Sequence, residues 1–404
     1  MSSPSRPALF HSSPYNFDSR VTAREHIRLP LTLTDVTLRE GQQAAEVAFS
    51  AEDEVVLARA LADAGIPIIQ AGYAGTDNAT VARIRKAVPE IGIAVLLVGW
   101  KDDAAEAMMS ARAAGADVCS VLFRAADAHL ANLGYTRDTA IKRVRELVTH
   151  GRQAGFRHVV FGPSFSTLAD FDFLMRLYAE GLDAGATVIS LADSNGTAKP
   201  AAVAFLVETM RRLAGEQAGV RVHMHNDFGL GVANTLAGIE AGADWVEVTV
   251  NGLGERAGNC PLEELVVALE ALYGIQVGVR TESLFILCKL VEQMSGVAIA
   301  PMQPVVGGDV FSNKLEIHVK AASTDPTLME PYDPAVVGNR RTIRLGRGTG
   351  PTGVLMKLQE LNLALPAELI DTAVQRVNQR AVANKKGVSD SEFRQLVGEL
   401  GGAT

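Results

Sequence analysis

The chain has 404 residues, a formal net charge of -8, 48% hydrophobic residues and 21% charged ones. That length accommodates a large domain plus a smaller one, each with a full core. An acidic chain with no Lys/Arg block is unsuited to nucleic acid or to an anionic membrane surface, so neither is expected as a partner. The three cysteines, Cys119, Cys260 and Cys288, are few and far apart, which argues against a disulfide framework and for a reducing, cytoplasmic setting.

Residues 1–27 are rich in Ser and Pro and contain no apolar stretch of signal-peptide length, so a flexible arm is expected there. From Leu31 short apolar runs alternate with longer segments of helical period. The runs are LTLTD (31–35), IPIIQAG (66–72), IAVLLVG (93–99), DVCSVLF (117–123), HVVFGP (158–163), TVISLAD (187–193), VRVHMHN (220–226) and WVEVTVN (245–251). Between them lie helical patterns such as SAEDEVVLARALADAG and TRDTAIKRVRELVTHGRQAG, several ending in Gly as helix C-termini do. The phrase Ala-Gly-Ala precedes three of the strands, at 114–116, 184–186 and 241–243. Eight strands in strict alternation with helices predict a (β/α)8 TIM barrel over 28–276, with an open doubly wound sheet as the competing arrangement. Beyond about Ile275 the alternation stops, and Pro/Gly-rich and helical stretches predict an appended mixed and helical C-terminal domain over 277–404. No run of about 18 apolar residues occurs, so no spanning helix is expected.

In a barrel of this kind the chemistry gathers at the C-terminal ends of the strands. The predicted strands end in polar residues: Asp35, Gln70, Arg124, Ser164, Asp193, His223 with His225, and Asn251. On a strand His223 and His225 share one face while Met224 takes the other. Two imidazoles aimed at one point suit a metal, or else a hydrogen-bonded pair. Strand one runs into Asp35-Val-Thr-Leu-Arg39-Glu40-Gly, and charges so close to a strand end are costly as mere structure. Glu40 with the two histidines makes a partial ligand set for an open divalent-metal site.

DVTLREGQQ resembles the D-x-T-L-R-[DE]-G-x-Q signature of the DRE-TIM metallolyase superfamily, and HMHNDFGLGVANTLAG resembles its H-x-H-N-D-x-G-x-A-x-A-N segment. With QPVVGGDVFSNKLEIH and KKGVSDSEF, the likeness runs from about Leu29 to Glu399 and is greatest to the Claisen-condensing branch: homocitrate, isopropylmalate and citramalate synthases. The resemblance implies a homodimer that condenses acetyl-CoA, or a close acyl-CoA, with a small 2-oxo acid. It implies one divalent metal ion (Zn, Mn or Mg) held by Glu40, His223 and His225 with Asn259 nearby, Arg39 polarising the keto oxygen, and His318 crossing the dimer interface as an acid–base group. Rival readings are a carbon–carbon lyase or aldolase of the same superfamily, and an inactive metal-binding regulatory subunit.

The chain departs from the family where the substrate tail would lie. S-x-E-D-x-x-R after strand five reads Ser164-Phe165-Ser-Thr-Leu168, Trp100 follows strand three, and the Asp-Thr of strand six is Asp193-Ser194. In the appended domain a His has become Asn313 and a Tyr has become Met329, with Tyr332 three residues on. The expected substrate-binding set is Gln43, Trp100, Arg124, Ser164, Phe165, Leu168 and Ser194. Trp100, Phe165 and Leu168 suggest an apolar tail pocket for a bulky aliphatic or aromatic 2-oxo acid; Arg124 suggests instead a second carboxylate or a phosphonate.

Overall fold

The structure, a computed structural model, describes residues 9–402. They form two compact units, one of residues 14–299 and one of residues 9–13 with 300–402.

In the first unit eight parallel strands close into a barrel in chain order. They are β1 (Thr32–Asp35), β2 (Ile68–Tyr73), β3 (Gly92–Val98), β4 (Val118–Arg124), β5 (His158–Ser164), β6 (Val188–Asp193), β7 (Gly219–Met224) and β8 (Trp245–Val248). β1 pairs with both β2 and β8, which completes the ring and rules out the open sheet. The Ala-Gly-Ala phrases explain the regular spacing. Gly115, Gly185 and Gly242 each take φ near +105°, at +109°, +106° and +103°, open to glycine at little cost. The following alanine donates back into the helix, as Ala116 does to the Ala111 carbonyl at 3.1 Å, and the next N–H already bonds the neighbouring strand, as Asp117 does to Ile93 at 2.7 Å. Helix stop and strand start are thus one motif. Helix starts are equally local: Ser50 with Asp53, and Thr136 with Thr139, form reciprocal capping boxes ahead of Ala51–Asp63 and Arg137–Gln153.

The barrel interior is layered. Ala94, Val118, Val160 and Val188 pack with Ile68 and Trp245 into an apolar plug near the strand starts. Above it the interior turns polar: the buried Arg221 pairs with Glu247 at 2.7 Å and donates to Ser190 and Ser120 at 3.0 and 3.1 Å.

The first unit extends to Ile299, past the boundary expected at 276, because helix Leu284–Ser295 belongs to it: Asn251 Nδ2, just after β8, donates to the Cys288 carbonyl at 2.9 Å. Of the arm expected over 1–27, residues 1–8 lie outside the described residues. From residue 9 the segment takes up local structure, with a helical turn at Ser19–Thr22 capped by Asp18.

The second unit is mixed and mostly helical. A short parallel pair, β9 (Ser312–Asn313) and β10 (Thr342–Ile343), accompanies helices Glu316–Thr324, Pro351–Glu360, Ile370–Asn384 and Asp390–Glu399. The last three bury Val354, Leu358, Ala373, Val377, Phe393 and Leu396 between them. Among the described residues no helix is long and apolar enough to cross a membrane.

Candidate active site

The turn after β1 is built from its own sequence. The Asp35 carboxyl accepts from the Thr37 N–H and hydroxyl, both at 2.9 Å, and the Thr37 oxygen accepts from Val250 N at 2.9 Å, locking β1 to the segment after β8. Burial pushes the Asp35 carboxyl up to about 7, against the two Thr37 bonds that lower it. This turn carries Arg39 and Glu40 onto the barrel mouth, both buried. Arg39 Nε donates to Gln70 Oε1 at 2.6 Å and Nη1 pairs with Glu40 Oε2. Gln43 Nε2 lies 3.3 Å from both Glu40 Oε2 and Tyr73 OH.

His223 sits on β7, and His225 just beyond it, where an isolated bridge to Asn259 extends the strand. Their Nε2 atoms face each other at 3.3 Å, and Glu40 Oε1 is 3.9 Å from His225 Nε2. One ligand atom from each of Glu40, His223 and His225 lies within 4.8 Å of the others, and all three residues are buried. Glu247 orients the ring: its Oε2 is 2.8 Å from His223 Nδ1, which in a neutral imidazole places the proton there and the lone pair on Nε2. Burial would raise the Glu247 carboxyl, but Arg221, His223 and Arg39 hold it down at about 2. His225 is pushed down to about 3, first by burial and then by His223, and stays neutral. The two imidazoles therefore present their Nε2 atoms to one point, beside the Glu40 carboxylate. Asn259 Nδ2 lies 3.3 Å from His223 Nε2, while its Oδ1 is buried without a hydrogen-bond partner. The donor set fits a divalent cation, whose nitrogen and oxygen ligands at about 2.0–2.2 Å stand roughly 3–4 Å apart.

Across the mouth, β4 ends in Arg124, whose Nη1 donates to Ser164 Oγ at 3.0 Å. Its Cζ lies 4.7 Å from the Trp100 ring centroid and 5.0 Å from that of Phe165. Phe165 takes a left-handed backbone, φ 57° and ψ 31°, unusual for a bulky residue. Its N–H donates to Ser194 Oγ at 2.8 Å. A cavity of about 390 Å³ joins the two sides of the mouth, and Gln43, Trp100, Arg124, Ser164, Phe165 and Ser194 all border it with Arg39, Glu40 and the two histidines. Leu168 does not. The turn that begins at Phe165 carries it outward onto Ser166–Leu168, where it is 48% exposed, so its expected place in the substrate pocket is withdrawn.

His318 lies half-buried on helix Glu316–Thr324 of the second unit. Tyr332 is enclosed edge-on by Phe10 and Phe311, with centroids at 5.6 and 5.4 Å, and burial pushes its phenol up to about 12; it is packed as a core residue. Cys260, beside Asn259, is fully buried and its thiol is likewise pushed up to about 12. The sequence reading missed Arg221, Glu247, Tyr73 and Arg256. Arg221 was accessible to it, standing two residues before His223 on the same strand face, and Glu247 is a lone charge inside the β-branched run WVEVTV.

Fold and site together define a (β/α)8-barrel protein with a candidate divalent-metal centre at the C-terminal rim. The chain belongs to the HMGL-like family, which matches residues 30–291. Residues 305–386 match a second family, the homocitrate synthase post-HMGL domain-like region. The chain is 33% identical to the 2-isopropylmalate synthase of Sulfolobus acidocaldarius, over 88% of this chain and 92% of that one. It is 34% identical to the homocitrate synthase AksA of Methanopyrus kandleri, over 90% of each. In fold it resembles the hydroxymethylglutaryl-CoA lyase of Pseudomonas aeruginosa, with TM-score 0.59 and 21% identity, covering 68% of this chain and 95% of that one.

Proposed function

We propose that the protein is an acyl-CoA:2-oxo acid C-acyltransferase that condenses acetyl-CoA, or a close acyl-CoA, with a 2-oxo acid to a 2-hydroxy-2-substituted succinate and CoA. The observation that carries this reading is the convergence of Glu40, His223 and His225 beside Arg39 at the barrel mouth. The names of the relatives and the post-HMGL region support condensation over cleavage.

Glu40, His223 and His225 would hold one divalent ion, Zn, Mn or Mg, with Asn259 beside it. When bound, the ion supplies Lewis-acid polarisation of the keto group. Arg39, held in place by Gln70 and Glu40, directs its remaining N–H groups at the oxygen on which negative charge develops. A base removes a proton from the thioester methyl, the resulting carbon attacks the keto carbon, and the displaced π pair on oxygen takes up a proton. Water then cleaves the C–S bond, releasing a carboxylate and the CoA thiol. His318, from a second copy of the chain in a homodimer, is the proposed acid–base group; its position in the region matching the post-HMGL domain supports this. A cytoplasmic location belongs to the same reading and is supported by three free, buried cysteines.

Thiol release from acetyl-CoA, followed with a panel of 2-oxo acids with and without divalent metal, tests the proposal. Release that needs both metal and a 2-oxo acid is expected. Metal-dependent cleavage of a hydroxyacyl-CoA with no condensation would make the protein a lyase, and metal binding with neither reaction would make it a regulatory subunit.

A further inference from the structure

Four arginines border the cavity: Arg39, Arg124, Arg221 and Arg256. Three of them have a carboxylate inside the protein. Arg39 pairs with Glu40, Arg221 with Glu247, and Arg256 with Asp227. Arg124 differs: it donates to a neutral hydroxyl, Ser164 Oγ, and among the described residues it forms no ion pair with an acidic side chain. Burial alone draws its guanidinium below the ordinary value, with no carboxylate to offset it. A half-buried cation left unpaired beside a cavity is costly unless something from solution completes it.

The surroundings of Arg124 fix its position without neutralising it. The Ser164 hydroxyl donates its own proton to the Phe123 carbonyl at 3.0 Å, so its oxygen is free to accept from Arg124. Trp100, after β3, and Phe165, after β5, flank the guanidinium from the two neighbouring strands. Ring faces interact with a guanidinium above and below its plane, which leaves the in-plane N–H donors available for a planar or tetrahedral anion. Phe165 is itself braced: Ser194 holds its backbone and His129 stacks on its ring at 4.0 Å and 17°. A bulky residue kept in a left-handed conformation points to a constraint imposed by the site. The same contacts bear on the question left open by the sequence. Trp100 and Phe165 border the cavity with the Arg124 guanidinium against their rings, so the apolar surface there carries a cation, and Leu168 is elsewhere.

We propose that Arg124 is a specificity-determining residue that binds a second anionic group, carboxylate or phosphonate, at the end of the 2-oxo acid remote from its keto-acid head. This rests on the condensing reading. Arg124 is on β4 and the three candidate metal ligands come from the ends of β1 and β7, so in a closed eight-stranded ring they stand on well-separated sectors of one mouth. A substrate charged at both ends would span them.

Kinetics of CoA release with 2-oxoglutarate, oxaloacetate and 3-phosphonopyruvate, set against the neutral-tailed 2-oxovalerate and 2-oxoisovalerate, test the assignment. An acid with an anionic tail is expected to exceed the neutral-tailed ones in kcat/KM by about 10- to 100-fold, as a charge-assisted contact provides. The carboxylate and phosphonate arms identify which anion is used. In Arg124→Ala that ratio falls toward one through a raised KM, and Arg124→Lys recovers part of it. A wild-type preference for neutral tails, or a ratio unchanged in Arg124→Ala, overturns the proposal. Binding provides a readout independent of turnover. Quenching of tryptophan fluorescence by the same acids without acyl-CoA reports on Trp100, which touches Arg124, and it should weaken by a similar factor in Arg124→Ala. Arg124-dependent binding with no thiol release would defeat the condensing reading while leaving the anion site standing; thiol release with Arg124-independent binding would do the reverse.

Discussion

The two sides of the barrel mouth are built on opposite electrostatic plans. On the side of β1, β7 and β8 the ionic groups Arg39, Glu40, Arg221 and Glu247 all have partners inside the protein, and burial holds His225 neutral. On the side of β3, β4 and β5 the Arg124 guanidinium is held by a hydroxyl and two aromatic rings, and among the described residues it has no ion-pair partner. The difference teaches that the first side is closed electrostatically on itself, while the second leaves a cation without an ionic partner. Under the proposed function, reaction type would belong to one half of the mouth and substrate choice to the other.

The most drastic way to break this division is to remove a candidate ligand. His225→Ala is expected to lower bound metal to below half of one equivalent, measured by elemental analysis, and thiol release by about 10²- to 10³-fold, given what a catalytic electrostatic group contributes. Near wild-type turnover in this variant would mean that the mouth's charged half does no chemistry. A subtler change separates ligand from support. Glu247→Gln keeps the side-chain volume but removes the charge that fixes His223, and metal affinity read by titration with a competing chelator should fall by about 10- to 100-fold. An unchanged affinity would show that Glu247 serves Arg221 alone.

An effect on stability, not on metal or turnover, concerns the frame beneath Arg39 and Glu40. Asp35 has a folded value raised to about 7 from an ordinary 3.8, so between about pH 4 and 7 the native state holds a proton that the unfolded chain has lost. Its contribution to stability is complete below that window and is lost as pH rises through it, with a slope of at most about 1.4 kcal/mol per pH unit. The stability difference between wild type and Asp35→Asn, followed by thermal unfolding from pH 4.5 to 8, should therefore move against the wild type as pH rises. A difference independent of pH would show that Asp35 is not protonated in the native state.

Much of this is legible in the sequence. The strand order follows from periodicity and from helix stops such as Ala114-Gly115-Ala116, because those signals act over a few residues. The convergence of Glu40, His223 and His225 beside Arg39 was legible because each sits in a short pattern at a strand end. Glu247 was not, since its meaning lies in a neighbour, His223, 24 positions earlier in the chain. Leu168 was misplaced for the complementary reason: a strand-end position promised the cavity, but the left-handed turn at Phe165 sends the side chain out.

By itself the sequence determined the alternation of elements, the barrel, and which residue types stand at the strand ends, since hydrophobic period, capping and turn chemistry are local properties of the chain. Which of those residues neutralise one another and which remain unpaired was decided only by the closed barrel. Closure brings β1 beside β8, the pairing of β4 with β3 and β5 sets Arg124 against Trp100 and Phe165 just beyond those strands, and electrostatic pairing depends on distance in space, over which a linear order of residues has little control.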